Sequence, residues 1–280
     1  MKTEAFGSIQ SGKKATLYIL ENKNHTVVKV TDFGATLVSV LFADKDGVMK
    51  DMVLGYDDAA SYEKGTSCFG ATIGRNGNRI KDARFTIDGK EWVIEANENN
   101  NSLHSGKNGF NHLMWEMKES GDNYVTFYHY SPQEEQGFPG NMHVTVTYTL
   151  DDEDTVHITY HAKADADTVM NFTNHSYFNL AGHDSGVMLD QKLQLFADAY
   201  TPDEDSHSIP TGEIAPVAGT PMDFTTMKPI GQDINADFEQ LHFTGGYDHN
   251  YVLSDKPGTM RQMAKAECDA SGIAMDAYTE

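Results

Sequence analysis

The chain has 280 residues, which is long enough for one large all-β domain or for two smaller domains. Hydrophobic residues make up 39% of the composition, enough for a substantial core. The formal net charge of −21 repels phosphate backbones and anionic lipids, so we expect neither nucleic acid nor membrane surfaces as partners.

The number of cysteines and the length of the apolar runs limit the compartments in which the protein is expected. Only Cys68 and Cys268 are present, far apart, so the sequence specifies no disulfide framework and no zinc ribbon. No apolar leader is visible at the N-terminus, and no apolar run reaches the roughly 18 residues of a membrane span. The sequence predicts a soluble cytoplasmic protein and leaves monomer and dimer both open.

Short strand patterns separated by Gly, Asp and Asn turns predominate along the chain. The predicted strands, in order, cover residues 26–30, 36–42, 52–55, 84–87, 91–94, 124–130, 142–150 and 155–161. Asp88-Gly89 predicts a type I′ hairpin turn, because both positions need positive φ. Short helices are expected within 57–64 and 230–241. With no linker, low-complexity tract or internal repeat, the pattern indicates a single β-sandwich domain over residues 1–280.

The stretch from residue 165 to residue 182 differs from an ordinary half-buried strand. A period of two places the following residues on one face: Asn171, Thr173, His175, Tyr177 and Asn179. The other side receives Met170, Phe172, Phe178 and Leu180, with Asn174 and Ser176 between them. The first face is uncharged, hydrogen-bonding and partly aromatic, which suits the wall of a cleft for a neutral, hydroxyl-rich ligand. A core strand with a polar solvent face and a satisfied histidine is an equal alternative.

Three loops carry further candidate side chains. Arg79, in the segment 74–80, could present a fork of donors to sugar hydroxyls, and Asn78 can both donate and accept. His104 lies in a Gly/Asn-rich loop beside aromatic residues, and Asp248 lies among uncharged polar residues just before a strand. The alternatives are a solvated arginine loop, an incidental loop histidine and a turn aspartate. The glycines of 74–80 do not form a dinucleotide fingerprint, since neither the spacing nor a following helix is present.

The histidines do not form a metal-binding pattern. His157 and His161 have the i, i+4 spacing of a zinc pair on a helix, but on a strand four residues span ~13 Å, too far for one ion. No nucleophile elbow with a Ser-His-Asp order is visible either.

Taken together, ordered motifs along nearly the whole chain resemble the galactose mutarotase (aldose 1-epimerase) family. They are TDFGATLVSV, DMVLGYDDAASYEKG, CFGATIGRNGNRI, NSLHSGKNGF, NFTNHSYFNLAGH, IPTGEIAPVAGTPMDF and GYDHNYVL. The resemblance implies a large antiparallel β-sandwich, the galactose mutarotase-like supersandwich, with a sugar cleft on one sheet.

The resemblance also implies roles for particular residues. His175 would be the general acid, with Ser176 and Tyr177 beside it in the pocket. Substrate contacts would come from four further residues, Asn78, Arg79, His104 and Asp248. The implied reaction opens the ring of a free hexose such as glucose or galactose and recloses it as the other anomer. The implied partner is a small monosaccharide, and the proton transfers need no metal or organic cofactor.

Two departures from the family pattern are apparent. Ser105 stands where a second glycine is usual. The sequence reaches Glu280 within a strand of the family, so the resemblance places the family's catalytic glutamate base and a sugar-contacting glutamine outside residues 1–280. The expected alternative is a non-catalytic sugar-binding module of the same fold. An epimerase for hexose 6-phosphates is disfavoured, because the motif regions hold only Arg75 and Arg79 as arginines.

Overall fold

The computed structural model of the protein describes residues 1–254 and 256–280. Contacts within the chain define two compact units. The first comprises Met1–Ala43 and Met49–Phe178, and the second comprises Asp44–Val48 and Asn179–Glu280. The single domain expected over residues 1–280 stays a prediction.

The first unit consists mainly of short antiparallel strands. In chain order they are β1 (Lys2–Ser8), β2 (Lys14–Glu21), β3 (Val27–Thr31), β4 (Thr36–Ala43), β5 (Met49–Asp51), β6 (Thr72–Ile73), β7 (Arg79–Ile80), β8 (Arg84–Ile87), β9 (Lys90–Val93), β10 (Ser102–Leu103), β11 (Glu116–Ser120), β12 (Tyr124–Ser131), β13 (Met142–Leu150), β14 (Val156–Ala164) and β15 (Thr173–Asn174). One helix, α1 (Ala59–Lys64), follows β5, and 3₁₀ turns occupy Lys81–Ala83, Phe110–His112 and Glu135–Gly137.

Two larger sheets build the first unit. Strands β1 to β5 form a five-stranded sheet in chain order, and β11 to β14 form a four-stranded sheet in chain order. Strands β8 and β9 form a hairpin, while β7 pairs with β10 and β6 pairs with β15. The last two pairings join segments that are far apart in the sequence, and both lie at the candidate site.

Alternating side chains explain why β13 forms and what it covers. Met142, Val144, Val146, Tyr148 and Leu150 are buried, while His143 on the opposite face is exposed. Across the core, the Tyr18 ring of β2 packs edge-on against Phe127 of β12, with ring centroids 5.3 Å apart. The first unit is therefore a two-sheet sandwich with an aromatic and aliphatic interior.

The second unit is also mainly β. Its strands are β16 (Lys192–Leu195), β17 (Ala197–Tyr200), β18 (Ala215–Pro216), β19 (Lys228–Pro229), β20 (Tyr251–Leu253), β21 (Arg261–Cys268) and β22 (Ile273–Thr279). They form sheets in the orders β19-β16-β21-β22 and β18-β17-β20, accompanied by a 3₁₀ turn at Ile230–Gln232 and by α2 (Glu239–Thr244). A small core of Tyr200, Val217, Met222 and Leu241 stabilises the unit.

The structure confirms most predicted elements of the first unit and corrects others. The 142–150 strand is found as predicted, and the Asp88-Gly89 turn has the positive φ angles of +51° and +76° that the hairpin requires. The strand expected over 52–55 is wrong, because the pairing with β4 ends at Asp51 and only Val53 makes an isolated bridge further on. The short helices expected within 57–64 and 230–241 are found as α1, as the 3₁₀ turn at Ile230–Gln232 and as the first residues of α2, which runs on to Thr244.

In the part of the chain that the structure describes, the helices are too short and too polar for any of them to cross a bilayer.

Candidate functional site

The backbone of His175 is fixed by pairing with the segment that precedes β6. Strands β15 and β6 pair through Thr173 opposite Ile73 and Asn174 opposite Thr72. Directly after this ladder, the His175 N–H donates to the Ala71 carbonyl at 3.0 Å, and the His175 carbonyl accepts from the Gly70 N–H at 2.9 Å. The imidazole is therefore attached to a hydrogen-bonded backbone rather than to a free loop.

The continuous strand expected over residues 165–182 is only partly present. Regular pairing is limited to Thr173–Asn174, with isolated bridges at Asn171 and Phe178. Two placements from the alternating pattern are wrong, since Met170 is 47% exposed and Asn179 is 3% exposed. Met170 precedes the paired segment. Asn179 follows it, and its amide donates to the Gly186 carbonyl and its side-chain oxygen accepts from Gln191.

Asn174 supports the turn that carries His175. Its amide nitrogen donates to the Gly70 carbonyl at 2.8 Å and to the buried Tyr148 hydroxyl at 3.2 Å. Its side-chain oxygen accepts from the N–H of Ser176 at 3.2 Å and from the Ser176 hydroxyl at 2.5 Å. The Ser176 hydroxyl, a predicted sugar contact, therefore donates its proton within the protein and retains its oxygen as an acceptor.

Three rings form the wall around His175. The His104 ring stands edge-on to His175, with centroids 5.1 Å apart and an interplanar angle of 87°. The Tyr177 ring lies 5.2 Å away on a tilt of 37°, and Phe69 contacts the Tyr177 ring from behind at 5.4 Å. Tyr177 is 44% exposed, so an apolar ring face remains available beside the imidazoles.

His104, which follows β10, is oriented by Asn78, which precedes β7. Its backbone N–H donates to the Asn78 carbonyl at 3.0 Å, and the Asn78 N–H donates to the His104 Nδ1 at 3.0 Å. Because Nδ1 accepts a hydrogen bond, the ring proton must reside on Nε2. Burial first, and then the charges of His175 and Arg79, lower the pKa of His104 to about 4. The neutral ring at pH 7 therefore presents Nε2–H as a donor.

Ser105 and the residues around it hold this loop in an unusual backbone conformation. His104, Ser105 and Gly106 have φ angles of +54°, +68° and +94°. At positive φ, the backbone of residues other than glycine is strained. The buried Ser105 hydroxyl accepts from the Asn76 N–H at 2.8 Å and donates to the Asn76 carbonyl at 3.1 Å. These two hydrogen bonds compensate for the departure from glycine at this position.

Arg79 does not present its whole fork to solvent. Its Nε donates to one Glu98 carboxylate oxygen at 2.6 Å and its Nη2 to the other at 2.8 Å. The side chains of Arg79 and Glu98 are 16% and 28% exposed. Sequence reasoning missed Glu98, because nothing in the asparagine-rich segment 97–101 marks it as a partner of a residue in β7.

Arg75 is a structural arginine. Its side chain is fully buried and donates to the Ser131 hydroxyl and to carbonyls that include those of Ser131, Pro139 and Gly140. The Arg75 guanidinium therefore donates to acceptors inside the protein. Of the two arginines considered for a phosphate clamp, Arg75 is thus excluded.

Asp248 belongs to the second unit, between α2 and β20. Its side chain is exposed, while those of its neighbours Tyr247 and His249 point into the unit. The Tyr247 hydroxyl donates to the Pro221 carbonyl at 3.2 Å, and the His249 side chain is 0% exposed. The segment that carries Asp248 is thus anchored on both sides.

Contacts within the first unit therefore link most of the predicted site residues: Asn78, Arg79, His104, His175 and Tyr177. Ser176 lies between His175 and Tyr177 in the chain and is bonded to Asn174. Among the residues that the structure describes, no group of three His, Cys, Asp or Glu side chains is placed to hold a metal ion.

Comparison with known proteins gives a consistent result. The sequence model of the family described as aldose 1-epimerase matches residues 16–280. The chain is 38% identical over 274 residues to a galactose mutarotase from Rattus norvegicus, covering 98% of this chain and 78% of that protein. It is 38% identical over 268 residues to an aldose 1-epimerase from Escherichia coli strain K12, covering 96% of this chain and 77% of that protein.

Solved structures agree. A galactose 1-epimerase from Lactobacillus acidophilus NCFM matches with a TM-score of 0.82 at 29% identity, covering 96% of this chain and 78% of that chain. An aldose epimerase homologue from C. elegans matches with a TM-score of 0.82 at 29% identity, covering 94% of this chain and 78% of that chain. The predicted fold class, a large antiparallel β-sandwich of galactose mutarotase-like type, is confirmed.

Proposed function

The chain belongs to the aldose 1-epimerase family, and we propose from this that it interconverts the α and β anomers of free hexoses such as glucose and galactose. The observation that carries the proposal is the pair of imidazoles, His104 and His175, set edge-on at 5.1 Å beside the exposed Tyr177 ring. Such a site offers directional hydrogen-bond donors and an apolar ring face, and it does not require the ligand to carry a net charge. A neutral monosaccharide has the matching chemistry.

His175 is proposed as the general acid. When the bond between C1 and the ring oxygen breaks, the ring oxygen develops negative charge and needs a proton, which an imidazolium in contact with it supplies. The open-chain aldehyde then rotates about C1–C2. On closure to the other face, the now neutral imidazole takes the proton back, so the acid is regenerated in each turnover. The reaction also needs a base for the anomeric hydroxyl, and none of the residues proposed here is assigned to that step.

The remaining residues are proposed to orient the sugar. His104, with its proton on Nε2, donates to a ring hydroxyl, and Arg79 and Asn78 beside it add further polar groups. Tyr177 provides a surface for the C–H face of the sugar, and Ser176 provides an acceptor oxygen. Asp248 in the second unit is proposed to accept from vicinal hydroxyls, which its exposed carboxylate permits.

The non-catalytic alternative receives no support from the comparisons. The relatives with 38% identity carry the names of enzymes, galactose mutarotase and aldose 1-epimerase. For the compartment, we keep the cytoplasm as a proposal, supported by two cysteines that are both free.

Polarimetry tests the proposed function. Freshly dissolved α-D-glucose is followed to its equilibrium rotation with and without the protein, and heat-inactivated protein serves as the control. We expect the native protein to raise the rate constant in proportion to its concentration. A rate equal to that of buffer, together with hexose binding in calorimetry, would instead establish a binding module.

A further inference from the structure

Glu98 occupies one edge of the Arg79 guanidinium inside the sugar site. We propose that Glu98 is a positioning and specificity-determining residue, which fixes Arg79 for contact with sugar hydroxyls and cancels its charge so that the site favours uncharged over phosphorylated hexoses. This inference rests on the proposed function, since it concerns how the same site selects its substrate.

The contact has the geometry of a strong carboxylate–arginine pair. Both carboxylate oxygens are used, by Nε at 2.6 Å and by Nη2 at 2.8 Å. A bidentate pair fixes both the position and the plane of the guanidinium, whereas a single contact leaves it free to rotate. Because both side chains are largely shielded from water, with 16% and 28% exposure, the pair is less screened than a surface ion pair.

Glu98 is itself held by the loop that presents His104. Its backbone N–H donates to the Asn101 carbonyl at 3.1 Å, and its carbonyl accepts from the Asn101 N–H at 2.7 Å. The Asn97 side chain brackets Leu103, accepting from its N–H at 2.7 Å and donating to its carbonyl at 3.0 Å. Leu103 in turn pairs with Arg79 between β10 and β7. Arg79 is therefore fixed both by its backbone and by its side chain.

The net charge of the Arg79–Glu98 pair affects which ligands the site can bind. An arginine without a carboxylate partner is a preferred ligand for phosphate, because its fork matches two phosphate oxygens. In this site the Arg79 fork already donates to Glu98. Arg75, the other arginine of the motif, is buried among backbone carbonyls. A phosphorylated hexose would have to displace Glu98 and leave a carboxylate next to its own negative charge. A neutral hexose meets no such cost.

The test compares equilibrium binding of D-glucose and D-glucose 6-phosphate by calorimetry at low ionic strength. In Glu98→Gln, which keeps the shape but removes the charge, we expect the Kd for glucose to rise about three- to tenfold and the Kd for glucose 6-phosphate to fall about tenfold. In Glu98→Asp, which keeps the charge but shortens the reach, the Kd for glucose should rise while binding of the phosphate stays weak.

Glu91→Gln is the matched control. Glu91 also pairs with an arginine, Arg84, at 3.6 Å, but on the exposed β8–β9 hairpin. The Glu91→Gln substitution changes the charge of the first unit by the same amount as Glu98→Gln. The Kd values for glucose and for glucose 6-phosphate should both stay at the wild-type values. Thermal unfolding of each variant establishes that it folds.

Opposite changes in the Kd values for glucose and glucose 6-phosphate would distinguish a role of Glu98 in substrate selection from general damage to the site. If Glu98→Gln weakens both ligands to the same extent, or changes neither relative to Glu91→Gln, the inference is overturned while the proposed function stands. If wild-type protein neither binds glucose nor accelerates its mutarotation, the proposed function fails, and this inference fails with it.

Discussion

His104 shows how burial turns an ordinary histidine into a fixed donor. The hydrogen bond from the Asn78 N–H requires an unprotonated Nδ1, and burial with neighbouring positive charge keeps the ring neutral. A proton on Nδ1 would put two donors face to face. The tautomer that donates from Nε2 is thus a consequence of the loop and not of the ligand.

This arrangement predicts a pH dependence of stability. The folded-state pKa of His104 is about 4, below the ordinary value of 6.5, so the unfolded chain takes up the proton first as the pH falls. Above pH 6.5 both states are neutral and this group contributes no slope. Between pH 6.5 and 4 it should lower the free energy of unfolding by at most about 1.4 kcal/mol per pH unit.

Comparison of wild type with His104→Asn in urea unfolding at pH 7 and pH 5 isolates the effect. Asparagine tolerates the positive φ of this position and keeps an acceptor near the place of Nδ1, but it does not titrate. We expect the wild type to lose more stability between the two pH values than the variant. Equal losses would show that His104 has an ordinary pKa in the folded protein.

At the scale of elements, the site depends on short pairings between loops rather than on long strands. Strands β6, β7, β10 and β15 have two residues each, so hydrogen bonds from side chains must supplement them. Ser105 does so for the segment before β7 through its two bonds to Asn76.

Ser105→Ala should therefore destabilise the fold by about 1–3 kcal/mol, because the part-buried Asn76 N–H is left without its acceptor. Chemical denaturation measures the change. Ser120→Ala on the exposed strand β11 is the control and should be close to neutral. A Ser105→Ala variant as stable as the control would mean that water or a shifted backbone replaces the hydroxyl.

Elements with a strong alternation could be predicted from the sequence, and pairings between distant segments could not. Strand β13 alternates over its whole length, and its predicted bounds match. The family motifs could likewise be recognised from the sequence, and the roles of the site residues within them stay predictions. Glu98 and Asn174 were missed as partners because their roles depend on contacts across 19 residues to Arg79 and across 104 residues to Gly70. Local patterns carry no information about such contacts.

At the scale of the whole molecule, the prediction of a single domain over residues 1–280 is open to direct measurement. A single domain should unfold in one cooperative transition, with equal calorimetric and van't Hoff enthalpies. Differential scanning calorimetry and a parallel scan by tryptophan fluorescence provide the two readouts. Two resolved transitions would contradict the prediction and show that the two units unfold independently.

The chain's acidity also fits the proposed choice of substrate. With a formal net charge of −21, the molecule as a whole repels anions, and a neutral hexose approaches without that barrier. The neutralisation of Arg79 by Glu98 and the negative charge of the whole molecule therefore both favour a neutral ligand over an anionic one.

The central claim is that His175 transfers a proton to the ring oxygen of a hexose, and the His175→Asn variant tests it most directly. Asparagine cannot exchange a proton near neutral pH, so polarimetry with α-D-glucose should show a rate lower by about 10²–10⁴-fold, while the Kd for glucose changes by less than about threefold. His161→Asn, on the exposed face of β14, serves as the control and should keep the wild-type rate. If His175→Asn instead turns over glucose at a rate within about twofold of wild type, His175 is not the acid.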